Sequence, residues 1–430
     1  MWRARDRTRN RGGTKSLLSS ATVQLGTAPL HYWDFTANRA LFNSVDVGAV
    51  TSTPNWSFSR ASTGYAQTLA GTLVNFGSGV PRITNKGLLI EDTRNNVLLQ
   101  SQTMATAPWI PFQSSVTADA TVAPDGTITA DKLVEDTTAS STHFHQQIVT
   151  LTASVHTFSI YAKAAERTQT SIFVPTGAFA DATFRTALFD LTGAGTVLSV
   201  TASATASIEA LAGGWYRCIL NVPATLAVAA NIQYGLLVAG NPTYTGNGTS
   251  GLFLWGAQVE AAATHSSYIT TTTVTATRQA DVANVSSPGV VYPLSLFVEF
   301  TRAVDTGLGA ECYFNVDAGG NDRFRLNINS SDQGASFANA GGVTQFSDQV
   351  AGAIALDTVT KIAARVAAND ARMARGGTLG TLDNTVTVPA APTAIVFGAD
   401  AGSNFGFGYV RRAAIFNTAL TDAALQRATT

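Results

Sequence analysis

Charged side chains are scarce in this 430-residue chain: Asp, Glu, Lys and Arg make up 13% of it, about half the share of an average soluble protein. The formal net charge is −1, so no global field draws in nucleic acid or an anionic membrane surface, and no specific nucleic-acid partner is expected. Two cysteines, Cys218 and Cys312, are too few for a disulfide framework and read as small buried strand residues. No apolar run approaches the ~20 residues that a membrane span needs. Phosphate-loop, zinc-helix, nucleophile-elbow and Cys-x-x-Cys patterns are missing. Glutamate is sparse, at positions 91, 135, 166, 209, 260, 299 and 311. A glycosidase needs two carboxylates about 5–9.5 Å apart across one bond, and only Glu299 and Glu311 lie close in sequence, flanking one predicted turn. No hydrolase activity is expected.

What fills the space is Thr (58 residues) and Gly (37) around a 45% hydrophobic content. Thr and Val suit a pleated, half-buried surface, so the chain reads as all-β. From about 97 to 280, short strand patterns recur every 8–12 residues between turns such as Pro124-Asp125-Gly126 and Gly240-Asn241-Pro242, the spacing of a β-sandwich. Residues 31–96 read as a β-rich lead-in packed on that sandwich, and 266–290 as an extended connector. A second all-β block spans 291–430. It closes on a short helix over Leu420–Ala428, with Thr421 as N-cap, Asp422 in the first turn and Arg427 in the last.

Residues 1–30 form a basic arm. Arg3, Arg5, Arg7, Arg9 and Arg11 alternate strictly beside Trp2, so an extended backbone puts all five on one side. Several arginines acting together suit an acidic groove on a partner protein.

Sugar recognition needs flat aromatic platforms beside amides and hydroxyls. Trp109 and Tyr244, near turns, are the candidate platforms. His143 and His145 flank Phe144 and share one strand face, where they could hydrogen-bond a sugar. No third ligand accompanies them, so zinc is not expected. No cofactor is required. A structural calcium would suit the carboxylates Asp125 and Glu260.

Several motifs together resemble a module of tailed-phage structural proteins and related gene-transfer particles. They are Phe58-Ser59-Arg60-Ala61-Ser62, Gly87-Leu88-Leu89-Ile90-Glu91, Arg94-Asn95-Asn96, Ala130-Asp131-Lys132-Leu133, Ser159-Ile160-Tyr161-Ala162-Lys163, Gly214-Trp215-Tyr216-Arg217, Leu254-Trp255-Gly256-Ala257-Gln258-Val259-Glu260 and Ser267-Tyr268-Ile269 with Arg278 and Asp281. The resemblance implies a carbohydrate-binding jelly roll of the galactose-binding-like class. The stretch Gly408–Phe416 followed by Asn417–Leu425 is similar to the close of a concanavalin A-like or laminin-G-like sandwich. The expectation is therefore two successive sandwiches, at 97–280 and 291–430, behind a basic arm. The resemblance implies a virion appendage such as a head spike, neck fibre or tail fibre, exposed on the particle exterior. Its arm would dock on a capsid, portal or neck protein, and its sandwiches would bind host surface glycans. A homo-oligomer is expected, with a trimer favoured. The alternatives are a virion-attached polysaccharide depolymerase and a decoration protein without a ligand.

Overall fold

Among the described residues, the regular structure is almost all antiparallel strand. The computed structural model describes residues 17–223, 225–305, 309–400 and 404–430. The arm residues Trp2, Arg3, Arg5, Arg7, Arg9 and Arg11 lie outside the described residues.

Two β-sandwiches make up the molecule. In the first, one six-stranded sheet runs Ser114–Thr121, Ala130–Glu135, Gly251–Glu260, His156–Ala164, Trp215–Val222, Thr205–Ala210. The facing sheet runs Ile110–Phe112, Phe144–Leu151, Val228–Leu237, Gln169–Val174, Arg185–Asp190, Thr196–Val200. Alternate residues meet between them: Phe158, Ile160, Ile172, Phe189, Leu220, Ile232 and Val259 are all buried in one core. Cys218 belongs to that core, and Cys312 is buried in the second sandwich; both are free thiols.

The second sandwich pairs a ten-stranded sheet with a seven-stranded one. Here the structure corrects the expected domain plan. Part of the lead-in packs on the first sandwich, where Tyr65 and Leu73 join Tyr161, Trp215 and Trp255 in one cluster, but most of it builds the second. His31–Asp34 pairs with Gly408–Phe416, Gly87–Ile90 pairs with the same strand, and Trp56–Ser59 pairs with Val282–Ser286. Trp33 and Phe35 sit in one core with Leu296, Phe314 and Phe397. The two sandwiches are thus not successive: the first is inserted into the second. The chain leaves and returns through Arg94–Asn96 and Ala276–Arg278, which pair side by side. The 266–290 segment is accordingly no free connector, since Val282–Ser286 is a strand of the seven-stranded sheet. The reason is non-local. An aromatic strand such as His31-Tyr32-Trp33-Asp34 records which residues want burial, not which distant strand will pair with it.

Two helices cover one end of the ten-stranded sheet's outer face. Helix α1 (Leu17–Leu25) and helix α2 (Asp422–Thr429) contribute Ala21, Leu25, Leu425 and Ala428 to a cluster with Tyr32, Phe297 and Phe416. The α2 N-terminus forms as expected: the Thr421 hydroxyl accepts from Ala424 N at 3.3 Å, and Asp422 accepts from Arg365 at 2.5 Å and Arg372 at 2.6 Å.

Candidate functional site

The residues singled out from the sequence as sugar contacts are largely interior. Trp109 is 5% exposed, donates from Nε1 to Gln100 O at 3.0 Å and stacks on His145 at 5.2 Å. His145 donates from Nε2 to Met104 O at 2.6 Å, and burial pushes its pKa below the usual histidine value. His143 is buried and donates from Nδ1 to Gln113 O at 2.6 Å. Tyr244 donates to Glu135 at 2.8 Å, beneath the Arg167 guanidinium. Trp109 is therefore no exposed platform, and the two histidines do share a face, but it is the inner one.

The calcium candidates do not meet in one acidic site. Asp125 accepts from Thr127 N at 3.0 Å and Thr127 Oγ1 at 2.6 Å. Glu260 accepts from Ser266 N at 2.9 Å, Ser266 Oγ at 2.7 Å and Gln258 Nε2 at 2.6 Å. Among the described residues no three acidic, histidine or cysteine side chains converge as metal ligands.

The strand Phe144–Leu151 carries the informative surface on its other face. Val149 and Leu151 point into the core, so by the period of two Phe144, Gln146 and Ile148 point out. Register across the sheet then sets two rows side by side. One row reads Ile110, Gln146, Gln233, Phe173, Thr186; the next reads Phe112, Phe144, Gly235, Ser171, Leu188. Phe112 stacks on Phe144 with centroids 4.8 Å apart and planes 13° apart. Phe173 stacks on Phe184 at 5.3 Å and 28°. Between the two stacks Gln233 Nε2 donates to Gln146 Oε1 at 3.5 Å, leaving the remaining amide groups of both side chains for another partner. Gly235 keeps the floor low beside Phe144, because a Cβ there would come within 2.7 Å of Ser171 Oγ. Ile110, Phe112, Ile148 and Phe184 are 41–58% exposed, and neither row contains an ionisable residue. The face is thus uncharged, with two partly exposed aromatic stacks separated by amides and a hydroxyl.

Phe144 and Gln146 alternate with the sequence candidates His143 and His145, and which pair faces outward depends on the partner sheet.

Some of the motif residues behind the resemblance lie elsewhere. Arg60, Glu91, Arg278 and Asp281 converge with Arg82, all buried, where the chain crosses between sandwiches. Arg82 Nη1 meets Glu91 Oε2 at 2.6 Å and its other amino group contacts Asp281. Arg60 Nη1 meets Asp281 Oδ1 at 3.0 Å, and Arg278 stands 3.6–3.7 Å from both carboxylates. Burial alone would raise the Glu91 pKa; Arg278, Arg82 and the Ser267 donors outweigh it and hold the carboxyl well below its usual range. This cluster is a structural clamp.

Next to it, a cleft of about 530 Å³ opens between the sandwiches, lined among others by Tyr65, Lys86, Glu209, His265, Asp357 and Tyr409. His265 Nε2 lies 3.0 Å from Glu209, and Lys86 donates to Gln67 at 3.0 Å above the Tyr409 ring.

The geometry defines the class as a two-sandwich β protein with one neutral, aromatic sheet face. No protein-family model matches the chain, and no curated protein does. Among solved structures, it is similar to the Ruminococcus gnavus IT-sialidase CBM40 bound to alpha2,3 sialyllactose, at 12% identity and TM-score 0.29, over 34% of this chain and 89% of that one. It is also similar to a native heptameric SAP-like pentraxin from Limulus polyphemus, at 12% identity and TM-score 0.26, over 33% and 70% of the two chains. A third similarity is to the binding domain of botulinum neurotoxin serotype D, at 12% identity and TM-score 0.28, over 34% and 39%.

Proposed function

We propose that this protein is a glycan-binding appendage of a virus particle and that the outer face of the first sandwich is where it holds host surface glycans. The observation that carries this reading is the pair of stacked phenylalanines, Phe112–Phe144 and Phe173–Phe184, on either side of the uncharged amides Gln146 and Gln233. Aromatic faces suit the C–H faces of sugar rings, and amides suit hydroxyls, which both donate and accept.

The attachment half of the proposal rests on the sequence resemblance and on the basic arm. The later part of the 1–30 arm is the helix α1, Leu17–Leu25, which packs on the outer face of the ten-stranded sheet, in the sandwich that does not carry the glycan face; the arginines precede it in sequence. An arm docked on an acidic capsid, portal or neck surface would leave the first sandwich turned outward on the particle, in a homo-oligomer for which a trimer is the first candidate. Each exposed ion pair contributes only about 0.2–1 kcal/mol, so docking needs several arginines at once and weakens with salt.

Binding without hydrolysis fits the glutamates, each of which already has a donor partner: Glu91, Glu135, Glu166, Glu209, Glu260, Glu299 and Glu311 pair respectively with Arg82, Arg167, Lys132, His265, Ser266, Arg412 and Arg302. One observation favours the rival reading of a depolymerase: Glu209 and Asp357 line the same interdomain cleft, and paired carboxylates in a groove are what hydrolysis requires.

The test is a glycan array of bacterial surface polysaccharides probed with the full chain. Binding that weakens by about tenfold or more in Phe144→Ala and in Phe173→Ala is expected. No binding to any glycan, or binding indifferent to both substitutions, overturns the reading. Release of reducing ends that is lost in Glu209→Gln would establish the rival.

A further inference from the structure

We infer that the face takes an extended, uncharged glycan, longer than a disaccharide, lying across the strands on both phenylalanine stacks at once; this rests on the glycan-binding reading above.

The spacing sets the length. Phe144 and Phe173 are two strands apart, because Phe144 faces Gly235, which faces Ser171, and Phe173 lies two residues further along that last strand. Strand separation and rise put the two positions about 10 Å apart across the sheet and about 7 Å apart along it, about 12 Å in all. One sugar ring can cover one stack but not both. The space between is furnished for the rings that bridge it: Gln146 and Gln233 stand in the row beside Phe173, and Gly235 and Ser171 form a low floor beside Phe144.

The charge inventory sets the class. Neither row holds an acid or a base. Ionisable groups on these strands are already committed: His145 stacks inward on Trp109 and bonds Met104 O, Asp190 accepts from Gln169 and from Thr192, and Arg185 lies over the Phe179 ring and pairs with Asp181. A carboxylated sugar would bring its charge onto apolar rings without a partner, at a desolvation cost that a neutral sugar avoids. Two separate ring stacks gain most from a ligand that covers them together, since the ordering cost of one chain is met once for both contacts.

The experiment uses fragments of whichever polysaccharide the full chain binds on the array, graded from single sugars to hexasaccharides, with calorimetry on wild type, Phe144→Ala, Phe173→Ala and the double variant. Affinity should rise at least tenfold once the fragment exceeds a disaccharide. Either single substitution should return long fragments to the affinity of short ones. Phe144→Tyr, which keeps a ring, should retain the length dependence, and circular dichroism should match wild type throughout. Equal affinity for single sugars and hexasaccharides, or sensitivity to only one of the two stacks, overturns the inference while leaving glycan binding standing. Equal or tighter binding of a carboxylated analogue overturns its charge half. Absence of any array ligand removes the glycan reading itself, and this inference with it.

Discussion

In the first sandwich, the sheet facing away from the rest of the molecule offers two phenylalanine stacks and amides with spare hydrogen-bonding groups. The seven-stranded sheet of the second sandwich, built on the same alternation, spends its outer face differently. Arg323 and Arg325 both bond Asp400, Arg325 lies 4.6 Å over the Phe337 ring, and Asn315 is fully buried beside them. Its ten-stranded partner is capped by α1 and α2. Equal architecture therefore presents unlike faces. Where the guanidinium groups pair with Asp400, they also cover the ring of Phe337. Where the sheet is neutral, rings and amides stay free for a ligand.

The strongest challenge to treating the two sandwiches as separate regions is the clamp between them. Asp281→Ala leaves Arg60 and Arg82 buried without their shared carboxylate. A loss of about 3–5 kcal/mol is expected from breaking a buried pair on one side, measured by urea denaturation. A loss below ~1 kcal/mol would mean that the crossover does not hold the sandwiches together.

A second effect is largest in the lead-in strand. Desolvation lowers the His31 pKa to about 4, against a partly compensating bond from Nε2 to Pro288 O, and Nδ1 accepts from Asn43 N at 3.2 Å. The unfolded chain binds this proton near pH 6.5 while the folded chain resists it, so stability falls as pH drops from 6.5 towards 4, by up to about 3 kcal/mol. Melting curves at pH 7, 5.5 and 4.5 should show a shallower decline in His31→Gln than in wild type. An identical slope would detach His31 from the acid response.

The comparison of faces is sharpened by a matched pair of variants. Phe144→Ala should weaken glycan binding by about tenfold or more, equivalent to about 1.4 kcal/mol, whereas Arg325→Ala should leave it unchanged; affinity measured on the same glycan decides, and the reverse pattern would move the site to the second sandwich. The smallest expected effect is that of chelation. Asp125 and Glu260 already accept protein donors, so EDTA should shift neither glycan affinity nor melting temperature, and a fall in either would reveal a metal that the carboxylates hold.

Much was legible in the sequence because it is written locally. Thr- and Val-rich strands between Gly and Pro turns give an all-β chain, and Thr421, Asp422 and Arg427 specify the closing helix within a single turn of their own positions. Cys218 and Cys312 read as interior and are interior. What tertiary structure decided was everything that depends on a distant partner. Alternation shows that 143 and 145 share a face and that 144 and 146 share the other, but only the facing sheet settles which pair is buried. His31–Asp34 carries the apolar pattern of a strand, yet its neighbour lies at Gly408–Phe416, nearly four hundred residues on. Arg60, Arg82, Glu91, Arg278 and Asp281 are scattered along the chain and form one buried ion cluster in space, because oppositely charged groups can leave water together only where the fold brings them within bonding distance.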